Sequence, residues 1–185
     1  MSEVKHLAME ALTAGLDAIR QSPKATGALE LIVRRPQTEA REVLDVGELD
    51  LVEGLVGDNW KQRGSSSTAD GSANPETQLT LTNARLMALV AQEKERWPLA
   101  GDQLYVDFDL SVDNIPPGAR LSLGAAVIQI TEPPHTGCKK YAARFGLDAL
   151  KFVNSREGRQ LRLRGVNAKV IRPGAIQVGD AVKKL

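Results

Sequence analysis

The sequence predicts a mainly β fold with helices, of the α+β class, built as a closed β-barrel decorated by short helices. Two observations carry this. From Ala28 to the C-terminus, short β-rich runs recur at close intervals, divided by Pro-Gly, Gly-Asp and Gly-Ala turns. Few segments hold the 3.6-residue apolar period of a helix. A length of 185 residues supplies one domain with a proper core.

The elements follow in order. His6–Arg20 reads as one amphipathic helix, with Leu7, Ala11, Leu12, Leu16 and Ile19 on a stripe and Ser22-Pro23 as its stop. His6 at its start reads as a solvated surface histidine. Ala28–Arg34 and Arg41–Val46 read as strands, with Gly47 breaking the second. Residues 54–60, GLVGDNW, read as a strand end entering a loop, with Asp58 as a turn residue. Residues 62–78 are poor in apolar side chains and read as a loop that orders poorly without ligand. Thr82–Trp97 reads as the central helix, capped by Thr82 or Asn83 and stopped by Pro98. Gln103–Leu110 reads as a strand with Asp107 and Asp109 on a solvated face. Arg120–Leu123 and Ala126–Thr131 form a hairpin around Gly124-Ala125. Lys139–Phe145 is a short helix closed by Gly146, and Leu147–Val153 a second helical turn. Gln160–Arg164, Ala168–Arg172, Ala175–Val178 and Ala181–Val182 read as short strands, the first with Arg162 and Arg164 on a basic face. This divides the chain into an N-terminal helix, residues 1–27, packed on a barrel domain, residues 28–185.

Composition narrows the function classes. Aromatic residues make up 4% and the formal net charge is +1, so neither stacking platforms for single-stranded nucleic acid nor a global basic signal is present. No apolar run reaches the length of a membrane span, and the N-terminus lacks the apolar core of a signal peptide. One cysteine excludes an internal disulfide and fits a reducing, cytoplasmic setting. With two histidines beside it, it cannot build a zinc site of the usual kind. The neutrality is a cancellation. Residues 139–172 hold ten Lys or Arg and two acids, whereas residues 39–58 hold seven acids and one Arg. The basic segment suits an anionic ligand, or else pairs with the acidic one.

The chemistry concentrates in Thr131–Phe145, TEPPHTGCKKYAARF. Thiolate is the nucleophilic and metal-binding form of cysteine, and nearby positive charge favours it. Lys139, Lys140 and Arg144 follow Cys138 within two helical turns, and His135 stands three residues upstream as a candidate base or donor. Pro133 and Pro134 hold the approach extended, and Gly137 lets the main chain pass close to a ligand. Asn83 and Arg85, near the start of the predicted central helix, are candidates to meet an anion.

The stretches GLVGDNW (54–60), GDQL (101–104), IPPGARLSLGAAVIQITEPPHTGCKKYAARFG (115–146) and GRQLRLRGVNAKVIRPGAIQVGDAV (158–182) together resemble the MOSC domain, named for the C-terminal domain of molybdenum cofactor sulfurase. The resemblance implies a β-barrel like the barrel domain of pyruvate kinase, with Cys138 in the family's cysteine position. It implies that Cys138 is either a persulfide carrier, exchanging sulfur with a donor or acceptor protein, or a ligand to molybdenum in the molybdenum cofactor. It implies as cofactor-binding candidates Lys139, Lys140, Arg144, Asn83, Arg85 and Asp102, with His135 beside Cys138 as catalytic. Some relatives reduce N-hydroxylated compounds. Pyridoxal phosphate belongs only to sulfurases with a separate aminotransferase-like domain, so the resemblance does not imply it for these 185 residues.

Two other classes remain open on the residues. One is a cysteine hydrolase or thiol-redox enzyme using His135 and Cys138, which lacks an evident carboxylate to orient the histidine. The other is a non-catalytic module that binds phosphate or nucleic acid through the basic strand at Arg162 and Arg164.

Overall fold

A computed structural model describes residues 5–185. The predicted N-terminal segment, 1–27, and the reading of its first residues fall partly on residues 1–4, outside the described residues. The single helix expected over His6–Arg20 is two: α1 (Met9–Ala14) and α2 (Leu16–Arg20), divided at Gly15. Leu12, Leu16 and Ile19 are buried as the period requires, and His6 is exposed.

The chain then enters β1 (Thr26–Arg34), β2 (Glu42–Leu44), β3 (Val46–Asp50) and β4 (Gly54–Leu55). Gly47 does not break a strand. It pairs with Ile176 inside β3, where a side chain would press on Leu55. The helix α3 (Trp60–Arg63) opens the polar loop. That loop is internally bonded: the Thr68 hydroxyl lies within hydrogen-bond reach of the Ser65 and Ser72 carbonyls and donates its one proton between them. Its far end is anchored by Gln78, which donates to the Leu51 carbonyl and accepts from the Val170 amide.

The expected central helix is mostly something else. Leu79–Asn83 is a strand, β5, whose alternation is that of LTLTN. Only Ala84–Val90, α4, is α-helical. Lys94–Ala100 is a 3-10 helix that contains Pro98 rather than ending before it. Next come β6 (Leu104–Asp107), the hairpin β7 (Arg120–Leu123) and β8 (Ala126–Pro134), then α5 (Lys139–Phe145) and α6 (Leu147–Asn154). Gln160–Arg164 is not a strand. Gln160 ends α7 (Arg156–Gln160), and Arg162 has φ 48°, a left-handed conformation outside the extended region of a regular strand. β9 (Val166–Arg172), β10 (Gly174–Gln177) and β11 (Ala181–Lys184) complete the chain.

Seven strands close a mixed barrel in the order β11-β7-β8-β9-β5-β6-β1, sealed by antiparallel pairing of β1 with β11 (Gly27 opposite Val182). Only β5 and β6 run parallel. β2 extends the sheet beyond β1, and β10-β3-β4 form a small second sheet. β1 and β6 are apolar on both faces because each face meets a core, whereas β7 and β11 alternate buried with more exposed residues. On β6, Leu104 and Val106 point into the barrel, while Tyr105 points out to the helices. The outer core joins Leu31 and Val33 of β1 to Leu12, Met87, Tyr141, Phe145 and Phe152. It fixes α5, and with it the thiol, against the barrel wall. Among the described residues, no helix is long and apolar enough to cross a membrane.

Candidate functional site

Cys138 stands between the end of β8 and the start of α5, exposed and free. Pro133 and Pro134 carry β8 to its end, and Asn167 Nδ2 donates to the Pro133 carbonyl at 2.9 Å. Asn154 then grips Gly137 twice: its Oδ1 accepts from the Gly137 amide (2.9 Å) and its Nδ2 donates to the Gly137 carbonyl (3.0 Å). A Cβ at Gly137 would sit 2.7 Å from Leu150 Cδ1. The close approach read from this glycine is therefore an approach to α6.

The thiol opens on a cleft of about 260 Å³ walled by the end of β1, the loop after it, the Asn59–Arg63 turn, the 3-10 helix end and α5. Six basic side chains line it, Arg35, Arg41, Arg63, Lys140, Arg144 and Arg164, against one acid, Glu39. Arg35 and Arg164 form its back, and each is held by a buried carboxylate. Arg35 Nε and Nη2 donate to Asp58 Oδ2 and Oδ1, both at 2.8 Å. Asp58 also accepts the amides of Arg35 and Trp60, each at 2.9 Å. It is more than a turn residue: Gly57 at φ 83° turns the chain so that this carboxylate lies beneath Arg35.

Asp102, fully buried, accepts from Arg164 Nη1 at 2.7 Å and bonds His135 Nε2 at 2.8 Å. This is the orienting carboxylate for His135 that the sequence did not reveal. Asp102 is thus brought to the site, behind its wall. Burial opposes its charge, but Arg164 and His135 outweigh burial and hold its carboxyl down at about 2. Since the carboxylate can only accept, a neutral His135 carries its proton on Nε2 and leaves Nδ1 as an acceptor. Burial and the adjacent Arg164 charge lower the His135 pKa despite Asp102, so the ring is neutral at pH 7. Among the described residues, no hydrogen bond joins His135 to the Cys138 thiol. Both line the cleft.

The front of the cleft is looser. Glu39 accepts from Lys140 Nζ (3.0 Å) and Arg144 Nη2 (2.8 Å), and Arg144 also donates to the Leu99 carbonyl at 2.7 Å. Glu39 is the one acid of residues 39–58 that pairs with the basic segment 139–172 among the described ion pairs. Arg41 donates only to carbonyls, those of Pro98 and Ala40. Burial, then the charges of Arg144 and Arg35, lower its pKa, as expected where like charges are gathered. Three polar atoms on the lining residues are buried without a partner: Asn59 Oδ1, Tyr141 Oη and Arg164 Nε. Such atoms are few in a native interior, and three on one cleft point to a ligand that satisfies them.

The other expected site residues are placed elsewhere. Lys139 is exposed beside the cleft and does not line it. Asn83 caps α4 and turns its Nδ2 inward to Ser22 Oγ and the Phe108 carbonyl, each at 2.8 Å. Arg85 pairs with Asp107 (2.7 Å), which is therefore no plain solvated acid. Neither Asn83 nor Arg85 lines the Cys138 cleft: Asn83 is spent on the α4 cap, Ser22 and Phe108, and Arg85 on Asp107 and the Ala18 carbonyl. Arg35, Arg41, Arg63, Asn59 and Tyr141 line the cleft without a motif in the sequence that marks them. The one available signal was Arg41, the lone base of an acidic run.

A family model described as the MOSC domain matches residues 68–183, more than half of the chain. The chain belongs to the MOSC domain family. Among solved structures, this MOSC domain is similar to the YUAD protein from Bacillus subtilis, with TM-score 0.64 and 17% identity, over 86% of this chain and 95% of that one. YiiM from Escherichia coli gives TM-score 0.53 and 17% identity, over 85% and 69%. YiiM from Geobacillus stearothermophilus gives 0.51 and 15%, over 86% and 75%. At these identities the likeness concerns the fold alone. No curated protein matches the chain. β1 lies outside the matched residues, yet it closes the MOSC barrel and supplies Arg35 at its exit.

Proposed function

We propose that this MOSC domain binds the molybdenum cofactor in the Cys138 cleft, with Cys138 as the protein's ligand to the metal. The observation that carries the reading is the gathering, in one cleft, of an accessible thiol, an excess of cations and three unpartnered buried polar atoms. The donor set suits the group. A soft thiolate suits molybdenum, and the arginines suit a phosphate. Asn59 Oδ1 offers an acceptor to a pterin N–H, and Tyr141 and Arg164 Nε offer donors. When bound, the cofactor supplies a redox-active metal already held by its own dithiolene sulfurs, which explains why one cysteine suffices here.

The chain's residues then have distinct tasks. Arg41 and Arg63 meet the anion directly, since neither is tied to a carboxylate among the described residues. Lys140 and Arg144 exchange Glu39 for the ligand. Asp58 and Asp102 hold Arg35, Arg164 and His135 in place. Burial raises the Tyr141 pKa, so its hydroxyl stays a donor at any working pH. His135 presents Nδ1 as an acceptor for a proton from the thiol or a substrate.

A second reading, a persulfide carrier, is favoured by the exposure of Cys138, whose thiol has no hydrogen-bond partner among the described residues. One experiment separates the two. The protein is purified from a host that makes molybdenum cofactor, and metal is measured in the wild type and Cys138→Ala. Near-stoichiometric molybdenum in the wild type and its loss in the variant are expected, and reduction of N-hydroxylated compounds is then assayed. No metal in either protein, with sulfane sulfur on Cys138, overturns cofactor binding in favour of the carrier.

A further inference from the structure

A second cavity, of about 310 Å³, lies on the other side of the wall made by His135 and Arg164, which line both. Its sides are the Thr131–Thr136 segment, the end of α6, α7, and the turn that leads into β9. Val112, Pro133, Pro134, Val153 and Val166 supply its apolar surface, beside polar residues such as Thr131, Asn154 and Asn167. Three arginines and one acid, Glu132, supply its charge.

Of these arginines, Arg164 is neutralised by Asp102. Arg159 and Arg162 have no ion-pair partner among the described residues. Arg162 is half-buried and spends one N–H on the Ile115 carbonyl (2.6 Å). Burial alone depresses its pKa, with no counter-charge beside it. It is also one of three non-glycine residues at positive φ among those described. Glycine fits φ 48° without the steric cost an arginine bears there. An arginine held at some strain, half-buried and unpaired, at the edge of an apolar cavity is arranged to receive an anion.

The size and charge of the cavity define that anion. Its volume stands at the lower end for small-molecule sites. Two free cations against one acid favour a single negative charge over a phosphate dianion. The apolar walls favour a compact hydrocarbon body. We propose that this cavity binds a small organic carboxylate, its charge met by Arg162 and Arg159 and its body packed on Val153, Val166 and Pro134. The site is separate from the thiol cleft and does not depend on cofactor binding.

The probe is benzoate, with neutral benzamide as control, followed by NMR of valine methyl groups. Saturable shifts at Val112, Val153 and Val166 are expected, with benzamide at least tenfold weaker. Arg162→Gly removes the cation while suiting the backbone, so the fold is kept. It should weaken benzoate at least tenfold, and Arg159→Gln should weaken it less. Cys138→Ala should leave binding unchanged, whatever becomes of cofactor loading. Absence of saturable shifts, equal binding of benzamide, or unchanged affinity in Arg162→Gly overturns the proposal. So does loss of binding in Cys138→Ala, which would place benzoate in the thiol cleft.

Discussion

Two carboxylates around the same cleft are each held between two basic groups. Asp102 lies between Arg164 and His135, and Glu39 lies between Lys140 and Arg144. The contact distances are alike, 2.7 and 2.8 Å at the first and 3.0 and 2.8 Å at the second. The surroundings differ: the Asp102 side chain is fully buried, while that of Glu39 is 59% exposed. Water and salt screen the exposed set, and its long side chains lose entropy when ordered, so it opens readily. The buried set has no water to fall back on, and loss of one partner leaves a bare charge in the interior. The cleft thus joins a fixed back, which sets geometry, to an exchangeable front, which a ligand can take over.

Asp102→Ala breaks this contrast most severely. It leaves Arg164 with the Ala100 carbonyl at 3.0 Å as its one remaining bond from the guanidinium, and His135 with none from its ring. It should lower stability to urea by roughly 3–5 kcal/mol. Glu39→Ala should leave the urea midpoint unmoved within error. Equal effects of the two substitutions would mean that the back is no more fixed than the front.

Acid should weaken the same buried set in two stages. The Asp102 pKa is lowered from 3.8 to about 2. Its contribution, about 2 kcal/mol, is therefore complete above pH 4 and lost as pH falls toward 2. The His135 pKa is also lowered, so the unfolded chain binds the proton more readily than the folded one. Its contribution is complete above the ordinary value of 6.5 and declines as pH falls below it toward the folded value. Both effects make stability rise with pH. The urea midpoint should fall between pH 7 and pH 5 in the wild type, and His135→Gln should flatten that limb. A fall that persists in the variant would assign it to another group.

The sequence shows these elements unevenly, for physical reasons. The α5 helix with its Gly146 stop and the β7–β8 hairpin at Gly124-Ala125 rest on local signals and are both found, β8 running on past Thr131 to Pro134. The barrel was legible because turn residues and short strands repeat along the chain, and the family because stretches such as residues 115–146 and 158–182 resemble the MOSC domain. Thr82–Trp97 misled because Leu86, Met87 and Val90 show a helical period that begins only after the strand Leu79–Asn83 has ended. Leu161 to Arg164 alternate as a strand does, and only the backbone of Arg162 shows that they are a turn. Within the site, the thiol and its neighbours were visible because they are contiguous. The groups that hold them were not: Asp102 meets His135 across 33 positions, and Asp58 meets Arg35 across 23. Of the two cap candidates, Thr82 and Asn83, Asn83 is the cap, and its side chain amide turns toward Ser22 rather than the cleft.

The most direct measurement is the pterin retained by the protein purified from a cofactor-producing host, read as its fluorescent oxidation product. It compares the wild type, Cys138→Ala and an Arg41→Gln/Arg63→Gln double variant. Both arginines lie at the front of the cleft without an ion pair, so the double variant should fold normally. The account predicts pterin in the wild type and its loss in the double variant, with Cys138→Ala losing metal more completely than pterin. Full pterin retention in the double variant, or none in the wild type, would contradict the claim that this cleft is the cofactor's seat.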